Sequence, residues 1–118
     1  MLEISTQLFP YRLKMENRQP VELAVTVKNV SREPVLVSYD VNVDRTLSMD
    51  KGGYKNTTNN KIGVLAPGAS AKGRFEIHAK HVARVGMHKI YIRATEHFNN
   101  YNLVKSEYRK EIEVLVDK

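Results

Sequence analysis

The sequence contains no cysteine, which excludes disulfides, thiolate metal centres and thiol catalysis. It also lacks any apolar run near the ~20 residues that a helix needs to cross a bilayer. The opening stretch from Met1 to Ser5 has neither a basic segment nor an apolar core, so no signal peptide is visible. The expectation is a cytoplasmic protein if the chain is complete, and a cell-surface one if it is a module of a longer protein. Helical periodicity is missing too, and residues 80–85 have room for one helical turn at most. What remains is 118 residues with a net charge of +6, the size of one domain with one core. We read residues 1–118 as a single unit whose positive surplus favours acidic partners.

Alternation with period two is what the sequence has in abundance. Val21, Leu23, Val25 and Val27 alternate with Glu22, Ala24, Thr26 and Lys28. Val35, Val37, Tyr39, Val41 and Val43 do so against Leu36, Ser38, Asp40 and Asn42. Phe75, Ile77 and Ala79 form a third set, His88, Ile90, Ile92 and Ala94 a fourth, and Tyr108, Ile112, Val114 and Val116 a fifth. Each pattern is that of a strand with one buried and one solvated face. Lys110 breaks the inner face of the fifth, which places it near a strand end with its amine in water. Leu2 and Ile4, then Tyr11, Leu13 and Met15, read as an edge strand broken at Pro10.

Turn signals separate these segments. Asn17–Pro20 and Ser31–Pro34 are two of them, and Ala66-Pro67-Gly68-Ala69 places proline and glycine where a type II turn wants them. Gly86 opens the penultimate strand and Asn99-Asn100 closes it. Asp44–Lys61 is disproportionately long and poor in apolar residues. It predicts a short strand near Leu47, a flexible excursion, and a return strand at Ile62–Leu65. Many short strands with turns between them predict an all-β, immunoglobulin-like antiparallel β-sandwich of about seven to eight strands.

Three segments carry a family resemblance. Val21–Ser31 resembles the second strand of the CARDB-type domains, with Asn29 in that strand's asparagine position. Ile62–Ser70 is similar to their proline–glycine turn, and Gly86–Ile92 to the strand after it, with His88 where a tyrosine is usual. CARDB-type domains are immunoglobulin-like modules common in archaea and bacteria. The resemblance spans nearly the whole chain and implies an adhesion, scaffold or accessory role. The Asp44–Lys61 segment is longer than the family's usual hairpin.

Catalytic and cofactor patterns fail on inspection. Gly68–Phe75 has the glycine spacing of a phosphate loop, but Arg74 and Phe75 replace the lysine and hydroxyl, and a strand follows instead of a helix. Ser70 lacks the second glycine of a nucleophile elbow. The least unfavourable metal set is His78, His81 and His88, yet parity turns His78 outward and His88 inward. Asp40, Asp44 and Asp50 match no calcium-loop spacing. His88 is expected to bond a backbone carbonyl at a corner, as a tyrosine would. The reading is therefore a non-enzymatic protein with no cofactor and no metal.

Two surfaces remain. Tyr54 in the long loop, and Phe98, Asn99, Asn100 and Tyr101 in an asparagine-rich turn, are candidates for contact with a protein partner. One of the turn's two rings is equally expected to fold back over the core. Lys72, Arg74, His78 and Lys80, extended by Arg84, form a basic stripe suited to an anionic polymer. No aromatic interleaves it, so nucleic acid ranks below a protein partner. The expected function is an interaction or scaffold module that displays loops or strand edges, with an anion- or metal-binding accessory domain as the alternative.

Overall fold

A computed structural model describes residues 1–10, 12–14 and 19–117. The chain is all-β. Its strands are β1 (Leu2–Phe9), β2 (Arg12–Lys14), β3 (Val21–Asn29), β4 (Val35–Val43), β5 (Leu47–Ser48), β6 (Thr57–Leu65), β7 (Ser70–Ala79), β8 (Gly86–His97) and β9 (Val104–Asp117). They form two sheets, ordered β1-β3-β7-β5 and β2-β9-β8-β4-β6. The described residues thus hold nine strands, one above the expected range, and the chain departs from the expected course at two breaks.

The first break is at Pro10. The segment read as one interrupted edge strand is two strands in different sheets: β1 runs antiparallel to β3, and β2 runs parallel to β9. Tyr11, Met15 and the Asn17–Arg18 half of the first expected turn lie outside the described residues. The second break lies in the long connection. β5 forms at Leu47 as expected and crosses to the other sheet, pairing Leu47 with Ala79 and Ser48 with His78. Pairing then resumes at Thr57, not at Ile62, so the polar run 57–60 is the start of an edge strand beside β4. An edge strand buries little, which is why its sequence looks like a loop.

The alternating apolar residues meet between the sheets. Val21, Leu23, Val25 and Val27 from β3 are fully buried against Val37, Val41, Ile90, Ile92, Val114 and Val116 from the facing sheet. Each such side chain contributes roughly 1.5–3 kcal/mol of transfer free energy. Tyr39 also points inward, and its hydroxyl ends against Gly73 of β7, 2.0 Å from where a Cβ would stand. Burial pushes the Tyr39 hydroxyl up from its usual range. Phe75 meets the Tyr39 ring edge-on at 6.2 Å. The Ala66–Ala69 turn is as expected: Gly68 has φ 78° and the Ala69 amide donates to Ala66 O at 2.9 Å.

Two inner-face expectations change. Lys110 lies well inside β9, not near its end. It is half-buried there, and its amine donates to Ile4 O of β1 at 3.4 Å. Ser38 and Asp40 face away from the core yet are buried. β4 is central in its sheet, and neighbouring strands drape long side chains over it. Asp40 takes the Arg93 guanidinium through Nε at 2.9 Å and through Nη2, and Asn59 donates to its other oxygen. The carboxylate raises the Arg93 guanidinium above its usual range.

Every strand but the parallel β2 alternates direction with its neighbours, so the connections collect at two ends of a body 47 Å long. The 30–34, 66–69 and 98–103 turns share one end. The 44–56 and 80–85 segments share the other.

Candidate functional site

The end that carries residues 98–103 is built around Asn29. Its side chain is fully buried and fully used. Nδ2 donates to Glu33 O at 2.8 Å and Leu65 O at 2.9 Å, and Oδ1 accepts from the Ser31 amide at 2.9 Å and hydroxyl at 2.6 Å. The backbone of the same residue bonds Ala69 O and the Gly68 amide. One asparagine therefore shapes two turns, and the motif position noted in the sequence is architectural.

Those turns wall a cleft of about 390 Å³ lined by residues 31–36, Glu96, His97, Phe98, Asn99, Lys105 and Met1. Glu96 and His97, only 3% and 7% exposed, are among its lining residues. His97 Nε2 lies 2.7 Å from Ser38 Oγ, while its Nδ1 is buried with no hydrogen-bond partner. Glu96 Oε1 is paired with the Met1 ammonium at 2.7 Å, which leaves His97 Nδ1 as the unpartnered atom of the two residues. Buried polar atoms left without partners are costly, and most native ones are satisfied.

Neither ring of the asparagine-rich turn packs on the core cluster, so the expected lid over the core is not seen among the described residues. Tyr101 folds back, meeting His97 edge-on at 5.1 Å, and Lys61 Nζ lies over its ring, 5.1 Å from the centre. Phe98 projects, 58% exposed, at the cleft rim. Asn99 and Asn100 are exposed beside it, and Asn100 Oδ1 shapes the turn by accepting from the Asn102 amide at 2.9 Å. Val30, Val64, Leu103 and Val104 add exposed apolar surface at the same end. Glu96 was missed in the sequence although it left a signal: it falls on the inner parity of β8, after Ile90, Ile92 and Ala94. His97 could not be found that way, because its burial comes from Tyr101 on another segment.

The basic stripe does not survive folding as one surface. Lys72 and Arg74 do face outward from β7, but Glu22 on β3 comes within 3.4 Å of Arg74. Glu76 takes His78 at 3.0 Å. Glu3 lies beside Lys28 in the same face. Lys80 and Arg84 leave the face altogether and join the far end, with Tyr54. The strand register sets acids from other strands among these bases, which parity along one strand cannot show.

The histidines and aspartates are likewise separated. His88 Nε2 faces Arg84 O at 2.7 Å, the corner bond expected, and Nδ1 faces Asp44 Oδ2 at 2.9 Å. Partial burial raises the Asp44 carboxyl, but hydrogen bonds from Thr46 and His88 outweigh it and hold the group below the usual carboxylate range. Asp50 is also held low, by the Lys55 and Tyr54 amides that it accepts. No three metal-ligating side chains converge within the described residues. A carboxyl with a depressed folded pKa contributes stability that is full above its unfolded value near ~3.9 and lost as pH falls through the folded value. Asp44→Asn is therefore expected to cost about 1 kcal/mol at neutral pH, with the gap to the parent protein shrinking below about pH 4. Urea titrations at a series of pH values check this, and a pH-independent gap would refute it.

No protein-family model and no curated protein matches the chain. Its fold is similar to solved structures. One is the Pseudomonas fluorescens alkylpurine DNA glycosylase AlkC bound to DNA containing an abasic site analog, with TM-score 0.53 and 16% identity. That match covers 99% of this chain and 30% of the glycosylase, so the chain spans under a third of that enzyme. AvmM, which catalyses macrocyclization in alchivemycin A biosynthesis, gives TM-score 0.61 at 8% identity over 99% of this chain and 89% of that one. The bacterial hydrophobin BslA gives 0.51 at 9% identity over 99% and 95%. Two of the three are enzymes. The expectation of a non-enzymatic protein is thereby overturned: this fold is found in catalysts, and the lack of a visible nucleophile–base pattern in the sequence does not exclude activity.

Proposed function

We propose that this chain is an immunoglobulin-like interaction module of the CARDB type that takes a protein partner at the end carrying Phe98. The two facing sheets, antiparallel except for β2, and the buried Asn29 in the position of the resemblance support the fold reading. The observation that carries the functional reading is the cleft itself, a cavity lined by the buried Glu96 and His97 with the exposed Phe98 at its rim. Exposed apolar surface rimmed by charge is characteristic of interaction sites. Arg32 and Lys105 at the rim form no ion pair within the described residues. A partner segment with an apolar anchor and an acidic flank complements them.

A photo-reactive residue placed at Phe98 is expected to give one discrete protein adduct in lysate of the source organism. The same residue placed at Glu113, on the outer face of β9 near the far end, is expected to give none. Phe98→Ala should then weaken binding of that partner at least about tenfold, as an anchor in a hot spot does. Equal labelling at both positions, or none at either, would sink the proposal.

A further inference from the structure

Five basic residues share the end opposite Phe98, of which the sequence marked only Lys80 and Arg84. On the sheet faces, bases meet acids: Arg74 with Glu22, Lys89 with Glu111, Arg93 with Asp40, Arg109 with Glu107. At the far end, Arg45, Lys51, Lys55, Lys80 and Arg84 form no ion pair within the described residues. The two acids of the same segments accept hydrogen bonds from their neighbours and pair with none of these five side chains. Asp44 holds Thr46 and His88, and Asp50 accepts the amides of Tyr54 and Lys55 at 2.9 and 2.8 Å.

The two segments form one surface. The Lys80 amide donates to Thr46 O at 2.8 Å, and the Met49 amide to Lys55 O at 2.7 Å. His88 joins Asp44 to the Arg84 carbonyl. The stem of Lys80 passes beside Gly53, 3.8 Å from where a Cβ would stand. Among these cations stands Tyr54, 88% exposed. Its ring edge rests against Gly52, 3.1 Å from the position of an absent Cβ. The ring is thus positioned by its own loop and open to solvent.

We propose that this end binds single-stranded nucleic acid, with the cations on successive phosphates and Tyr54 stacked on a base. An open aromatic ring among unpaired Lys and Arg is what a sequence-tolerant single-strand site requires. A duplex is disfavoured because the tip offers neither helix nor ribbon for a groove. An acidic peptide would use the charges but leave the open ring without a role.

The test is fluorescence anisotropy with a labelled oligothymidine of about 20 nucleotides, titrated at several salt concentrations. With all five cations engaged, log K is expected to fall with log salt at a slope of about −3.5. Lys51→Glu with Lys55→Glu should weaken binding at least about tenfold and flatten the slope by about 1.4. Tyr54→Ala should cost about fivefold or more at an unchanged slope. Lys72→Glu with Arg74→Glu, on the sheet face, should change neither. These positions are exposed, and an unchanged melting temperature verifies the fold of each variant. Failure to bind the oligonucleotide at low salt overturns the proposal. So does equal loss in the sheet-face variant, or equal competition by polyglutamate, by duplex DNA or by anionic lipid vesicles. Cross-linking at Phe98 reports separately on the protein-partner reading, because it tests the opposite end.

Discussion

Asn29→Leu is expected to lower the unfolding free energy by about 2–4 kcal/mol, although the substitution adds apolar volume to a buried site. Leucine supplies none of the four hydrogen bonds made by the asparagine side chain. The carbonyls of Glu33 and Leu65 lose their amide donor, and the Ser31 amide and hydroxyl lose their acceptor. Buried groups stranded in this way cost about 1–3 kcal/mol each unless water reaches them. Glu33 and Ser31 are near the surface and recover part of the loss, which keeps the total near the lower bound for two groups. At this chain length the change corresponds to a melting temperature about 10–20 °C lower. Asn29→Asp keeps the acceptor and loses both donors, and also places a charge in the core, so it should be at least as damaging. Calorimetry on the two variants checks this. A loss under about 0.5 kcal/mol in both would show that the turns hold without Asn29.

Gly73→Ala should cost about 1–3 kcal/mol, because the new methyl would stand where the Tyr39 hydroxyl now ends. The tyrosine cannot swing clear cheaply, since its ring is braced edge-on by Phe75. Phe75 also lies 3.2 Å from the same Cβ position. Tyr39→Phe removes the obstructing oxygen, so the double variant should recover most of the loss. The cycle isolates the contact: coupling of at least about 1 kcal/mol is expected between the two sites. Additive effects would mean that glycine is needed for its backbone and not for the approach of Tyr39. The result bears on function as well. The glycine that makes Gly68–Phe75 look like a phosphate loop is present to admit a tyrosine from the opposite sheet.

Residues with one dominant neighbour relation were legible from the sequence. The inner faces of β3, β4 and β8 were plain because burial of alternate side chains needs only the pleat of one strand. Gly68 was plain because a type II turn is a four-residue affair. His88 met its backbone carbonyl because that partner lies four residues away. The 57–60 run was misread because an edge strand with both faces partly wet loses its apolar signature.

The candidate site was legible only in part. Phe98 and Tyr101 stood out as rings in a polar turn, but which one projects depended on His97 and Lys61, which belong to other strands. The basic stripe failed for a related reason: electrostatics are set by the nearest opposite charge, and Glu22 lies far from Arg74 in sequence but adjacent in register. By itself the sequence determined an all-β chain, its inner faces and its tight turns, since these follow from backbone geometry and local solvation. Only the tertiary structure decided that Pro10 marks a change of sheet, that Asn29 binds two turns, that Glu96 and His97 share a cleft, and that Arg45, Lys51, Lys55, Lys80 and Arg84 share one end with Tyr54. Each of these depends on distances between residues that the chain alone leaves apart.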